Sequence, residues 1–170
     1  MGYGGWDAAT YSSSSTASAF TYSSTAHATA RATGTRLAVH PTLDPKGLTF
    51  RESRDSVDHP ESLPVAVFLD TTGSNIAQAR IVHEAMPTLM GLLVRKGFAT
   101  DPQIMFSALG DATCDAVPLE VGQFESNNVM DENLGNFAPT RGRSVATKAT
   151  CSSLATRRRI HVSVGGKSLT

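Results

Sequence analysis

The chain has 170 residues, a formal net charge of zero and two cysteines. That length allows one modest domain, and two cysteines cannot support a disulfide framework. No apolar run approaches the ~18 residues a membrane span needs and no signal peptide is legible, so a soluble, cytoplasmic protein is expected.

Residues 1–36 consist mainly of Ser, Thr, Ala and Gly with almost no charge. This composition predicts disorder, with Tyr3, Trp6, Tyr11, Phe20 and Tyr22 as scattered aromatic contacts. Residues 37–60 are mixed and polar, punctuated by Pro41, Pro45 and Pro60, and predict an extended lead-in. Val65-Ala66-Val67-Phe68-Leu69 is an unbroken apolar run that predicts a short strand buried on both faces, as in the middle of a parallel sheet. It stops at Asp70, followed by the hydroxyls of Thr72 and Ser74 with Gly73 between them.

From Asn75 to Lys96, Ile76, Ala79, Val82, Met86, Leu89, Met90 and Leu93 recur every three or four residues and predict one helical stripe. Gly97 fits a C-cap, and Pro87 predicts a kink or a split. Ile104-Met105-Phe106-Ser107-Ala108-Leu109 predicts a second strand at a distance suited to a βαβ crossover. It leads into Gly110-Asp111-Ala112-Thr113-Cys114-Asp115. Leu119 to Phe124 predicts a further strand, close enough in sequence to be an antiparallel neighbour.

An open α/β sheet places its ligand at the carboxyl ends of its strands. Asp70, Thr72 and Ser74 can turn oxygen atoms toward one point there, a donor set suited to a hard divalent cation. The competing reading is local: Ser74 caps the next helix and Asp70 ends a strand in a turn.

Asp70-Thr71-Thr72-Gly73-Ser74 resembles the metal-ion-dependent adhesion site of von Willebrand factor A (vWA) domains, Asp-x-Ser/Thr-x-Ser, with threonine in the first hydroxyl position. Further segments are similar to uncharacterised stand-alone vWA proteins of bacteriophages and bacteria. They are Thr49-Phe50-Arg51-Glu52-Ser53-Arg54-Asp55, Leu89 to Phe98, Asp101-Pro102-Gln103-Ile104, Gly110 to Asp115, and Val121-Gly122-Gln123-Phe124-Glu125-Ser126. The similarity runs from about Leu43 to Gly135.

The resemblance implies an open, mostly parallel, doubly wound α/β sheet of the vWA or Rossmann-like kind, here truncated to its first half. It also implies a non-catalytic, metal-ion-dependent protein-binding module. Mg²⁺ or Mn²⁺ would be held by Asp70, partly through water, and by the hydroxyls of Thr72 and Ser74, and would bridge to a protein partner. Asp111 and Asp115, at the end of a strand on the same side of the sheet, would add negative charge around the ion; a role as plain turn residues is an alternative of at least equal weight. The family's loop threonine and later aspartate should follow Asn136 and are not legible, so weak binding is expected.

Glu61 to Asn136 holds ten acidic residues against Arg80, Arg95 and Lys96, whereas Phe137 to Thr170 has seven basic residues and no acidic one. Such a reversal fits a nucleic-acid-binding tail centred on Arg157-Arg158-Arg159, the alternative function. A frame-shifted reading is favoured instead. Read through the third base of each codon, synonymous codons from Thr147 onward permit Glu-Ser-Tyr and then Ala-Arg-Tyr-Ala-Ala-x-His-Thr, words that look like the family's next helix. The expected organisation is therefore 1–36 disordered, 37–60 lead-in, 61–136 the N-terminal half of a vWA-like domain and 137–170 an out-of-frame tail. Within the tail, Ile160 to Val164 alone has strand character.

Other chemistries fit less well. Asp70 approaches the phosphoaspartyl loop of phosphotransfer enzymes, but the second acid those phosphatases need is replaced by Thr72 and no later lysine motif follows. Gly165-Gly166-Lys167-Ser168 lacks the first glycine of a phosphate loop, where His161 stands. His27, His40, His59, His83 and His161 have no metal-ligand spacing and are expected as surface or helix residues. Cys114 is expected as a small buried hydrophobe. Neither Ser74 nor Cys114 has an evident histidine partner, so no turnover is expected.

Overall fold

The computed structural model describes residues 20–72, 75–96, 98–112, 115–127, 129–139 and 161–163. The protein is mixed α/β. Its helices are α1 (Thr21–Thr33), α2 (Ile76–Arg95) and α3 (Val129–Asn136), and its strands are β1 (Phe50–Glu52), β2 (Leu63–Asp70), β3 (Pro102–Leu109), β4 (Leu119–Val121) and β5 (His161–Ser163). A three-stranded sheet has the order β2-β3-β4, and β1 pairs with β5 in a separate two-stranded sheet.

β2 and β3 are parallel from Leu63↔Pro102 to Asp70↔Leu109, joined through α2 as the apolar spacing predicts. β4 returns antiparallel, with Ser107↔Val121 and Leu109↔Leu119. The helix crosses position 87 without a break in its assigned span. Gly97, the expected cap, lies outside the described residues.

The strand buried on both faces is β3, not β2. Ile104, Phe106 and Ala108 face a core shared with Phe20, Leu43, Leu69, Ala79, Met130, Leu134 and Phe137. On the opposite face Met105 packs with Val121 and Phe124, flanked by Leu48 and Leu119, as the period of two along a strand requires. β2 contributes Val65, Val67 and Leu69 to the first core, but among the described residues its other face is open, with Phe68 51 % exposed. Among the described residues, the packing of Leu48, Leu119, Val121 and Phe124 around Met105 does not extend to Phe68. Ile76, Ala79, Val82 and Leu93 of α2 join the core, while Leu89, expected in the same stripe, is exposed.

Two expectations about the flanking segments need correction. Residues 21–33, expected to be disordered, form α1. Alanines give this segment adequate helix propensity, and buried Phe20 and Ala26 tie it down. Phe20 caps it at φ 63°, a left-handed conformation costing about 1 kcal/mol or more. Burial of a phenyl ring offsets that strain.

The lead-in is not simply extended. It contains a 3₁₀ turn at Pro41–Leu43 that buries Leu43, and it contains β1.

The described chain runs on to Pro139. Phe137 and Ala138 are fully buried, and the Ala138 amide donates to both Glu120 carboxylate oxygens at 3.0 and 3.2 Å. Burial raises the Glu120 carboxyl to about 7, against which the Ala138 hydrogen bond acts. Within the tail, β5 pairs with β1 and not with the open edge of β2. Arg157-Arg158-Arg159, Cys151 and Gly165-Gly166-Lys167-Ser168 lie outside the described residues. Among the described residues no helix is long and apolar enough to cross a membrane.

Candidate metal centre

β2 and β3 end side by side, and their carboxyl ends carry the acidic residues singled out in the sequence. Beyond Asp70 the chain stays pinned to β3. The Thr71 amide and hydroxyl both donate to the Leu109 carbonyl, at 2.9 and 3.2 Å, which turns Thr71 inward. Thr72 then turns outward. Its hydroxyl donates to Asp70 Oδ1 at 2.6 Å, and its amide donates to the same oxygen at 2.9 Å.

Asn75 begins α2, its carbonyl accepting from the amides of Gln78 and Ala79. Its side-chain amide reaches back to Asp70 Oδ2 at 2.5 Å. Asn75 is a member of this cluster that the sequence reading missed. Its short amide at a helix start is the signal that was available. Ser74 and Gly73 lie outside the described residues, as do Thr113 and Cys114.

Beside Asp70, β3 leads into a turn. The Asp111 amide donates to Asp115 Oδ2 at 2.6 Å, and the Asp115 amide donates to the Asp111 carbonyl at 2.9 Å. Gly110 makes room for this arrangement, because a Cβ there would stand 2.7 Å from Asp115 Oδ2.

The two carboxylates are tuned in opposite directions. Asp70 is held below the usual carboxylate range, first by the Thr72 hydroxyl and then by the Thr72 amide. Asp115 is raised, first by burial and then by the charges of Asp111 and Asp70, against the Asp111 amide bond. Asp70, Asp111 and Asp115 thus share one electrostatic neighbourhood. Its donors are all oxygen, the ligand type that Mg²⁺ and Mn²⁺ take. Among the described residues no three His, Cys, Asp or Glu side chains converge as a ready cage. Two of the three expected ligands are hydroxyls.

At the opposite end of the sheet, His59 departs from its expected role as a plain surface residue. It is partly buried, with Nδ1 on Asp101 and Nε2 2.8 Å from Ser126 Oγ. Asp101 and Ser126 lie 42 and 67 positions from His59, so no local spacing announces them.

No family model, curated protein or solved structure matches the chain.

Proposed function

We propose that the chain is a metal-ion-dependent protein-binding module of the vWA-like type. Asp70, Thr72 and Ser74 hold Mg²⁺ or Mn²⁺ at the carboxyl end of β2, and the cation bridges to a carboxylate of a protein partner. The observation that carries this reading is the pairing of an exposed, ionised Asp70 with the Thr72 hydroxyl at 2.6 Å, beside the turn bearing Asp111 and Asp115. A cation entering there takes up lone pairs that now accept from Thr72 and Asn75. Asp111 and Asp115 act on it through their charge. When bound, the ion supplies a positive site for an acidic partner group; no bond is made or broken at this end of the molecule.

A second reading has its own support. The Thr72 amide bond to Asp70 Oδ1 is that of an Asx turn leading into a helix, and in that case Asp70 serves only local structure. Calorimetric titration with Mn²⁺ separates the two. A cation site gives measurable binding that Asp70→Ala abolishes and Thr72→Ala weakens at least about tenfold, the loss of one good ligand being worth more than about 1.4 kcal/mol. Equal heats for the native chain and Asp70→Ala would leave only the turn.

A further inference from the structure

The amino end of the sheet carries a second constellation, roughly 25 Å from Asp70 by the length of an eight-residue strand. Three segments deliver it. His59 closes the turn 56–59, in which the Ser56 amide donates to the His59 carbonyl at 2.8 Å and the His59 amide donates back to the Ser56 carbonyl at 3.2 Å. Asp101 immediately precedes β3, and its carbonyl accepts from the Leu63 amide at 2.8 Å. Ser126 follows Glu125, which bridges to Ile104. It precedes Asn127, whose side-chain oxygen accepts from the Val129 amide at the start of α3. His59 and Asp101 are thus fixed through their own backbones, and Ser126 through those of its neighbours, before the side chains meet.

The side chains form one directed chain. Asp101 Oδ1 lies against His59 Nδ1, and His59 Nε2 lies 2.8 Å from Ser126 Oγ. An ionised carboxylate can only accept, so the ring proton sits on Nδ1. Nε2 is left with its lone pair, and the Ser126 hydroxyl donates to it. Asp101 Oδ2 is buried with no hydrogen-bond partner among the described residues, so the contact with His59 Nδ1 is the one side-chain hydrogen bond that the described residues give this carboxylate. The His59 and Asp101 side chains are 14 % and 13 % exposed and Ser126 is 8 % exposed, so the chain is shielded but not sealed.

We infer that Ser126 is a nucleophile, with His59 as its general base and Asp101 as the residue that positions the ring, and that it acts on carboxylic esters with good leaving groups. Nucleophile, base and orienter within hydrogen-bond reach define this chemistry by geometry, whatever the order in sequence. Ser126 Oγ attacks the ester carbonyl carbon while its proton passes to His59 Nε2. The tetrahedral adduct expels the alkoxide, which takes that proton and leaves as the alcohol, with the acyl group on Ser126. Water then gives a proton to His59 and attacks the acyl carbon. The Ser126–acyl bond breaks, Oγ regains the proton, and the carboxylic acid departs. This site requires neither Asp70 nor a cation, so it stands or falls independently of the binding function.

The test uses a fluorophosphonate, which forms a stable adduct only with an activated serine, on the full chain with peptide mass spectrometry. A single adduct is expected on Ser126, absent in Ser126→Ala and formed about 100-fold more slowly or worse in His59→Gln, the range for losing a general base. Asp101→Asn should slow labelling, and Asp101→Glu should restore part of it, which a merely structural carboxylate would not do. The urea-unfolded native chain serves as the reference in case a variant does not fold. Ser126 labelled no faster in the native chain than in urea, or labelled equally in folded His59→Gln, would overturn the assignment.

Discussion

β2 and β3 lie side by side in matched register and are both apolar runs in the sequence, yet one is a core strand and the other a strand with an open face. β3 has a neighbour on each edge and packing on each face; Met105 and Phe106, pointing opposite ways, are 0 % and 1 % exposed. Among the described residues β2 has one paired edge and one packed face, and it ends in the exposed carboxylate of Asp70. Hydrophobicity alone did not assign these roles. The supply of covering elements did, and the strand with less cover presents the candidate site.

The largest expected effect breaks or sharpens that contrast directly. Phe106→Ala should destabilise the chain by about 3–5 kcal/mol in urea unfolding, the cost of a cavity beneath a fully packed ring. Phe68→Ala should change stability by no more than about 0.5 kcal/mol, as an exposed side chain on the open face. Similar losses from the two would mean that the outer face of β2 is covered after all.

A second effect concerns β4, the strand on the other side of β3. The Glu120 carboxyl is raised to about 7 from an ordinary 4.5. Between those values the folded chain holds this proton more firmly than the unfolded chain does. The contribution is therefore present at and below about pH 4.5 and declines as pH rises through about 7. At about 1.4 kcal/mol per pH unit, the decline across the window is on the order of 3 kcal/mol. Glu120→Gln keeps an acceptor for the Ala138 amide and removes the charge, so it should unfold at nearly the same urea concentration at pH 5 and pH 8. A native chain whose pH dependence matches that of the variant would show that Glu120 is not held neutral by burial.

Much of the architecture was legible because local signals agreed. The apolar period of α2 and the runs at Val65 and Ile104 gave a βαβ unit, and the short turn to Leu119 gave an antiparallel neighbour. What the sequence concealed depended on distant partners. α1 has too few large apolar residues to declare itself, and its order rests on Phe20 reaching a core built from Leu43, Met130, Leu134 and Phe137. The exposure of Phe68 depends on what does not cover it. At the site, Asp70 and Thr72 stood out because a strand-terminal acid and a nearby hydroxyl lie within three residues of chain. Asn75 was visible but read only as part of a helix. His59, Asp101 and Ser126 could not be grouped, since nothing but the folded backbone brings them together.

The location of the cation decides the central question most directly. Sub-stoichiometric Mn²⁺ added to the ¹⁵N-labelled chain broadens amide signals close to the ion. A cation on Asp70 and Thr72 predicts selective broadening of Thr71, Thr72, Gly110 and Asp111. Leu63, Gln103 and Glu125, at the far end of the sheet, should keep their line widths, and Asp70→Ala should lose the effect. Broadening spread evenly over the exposed acidic residues, or an unchanged pattern in Asp70→Ala, would contradict a metal centre at the end of β2.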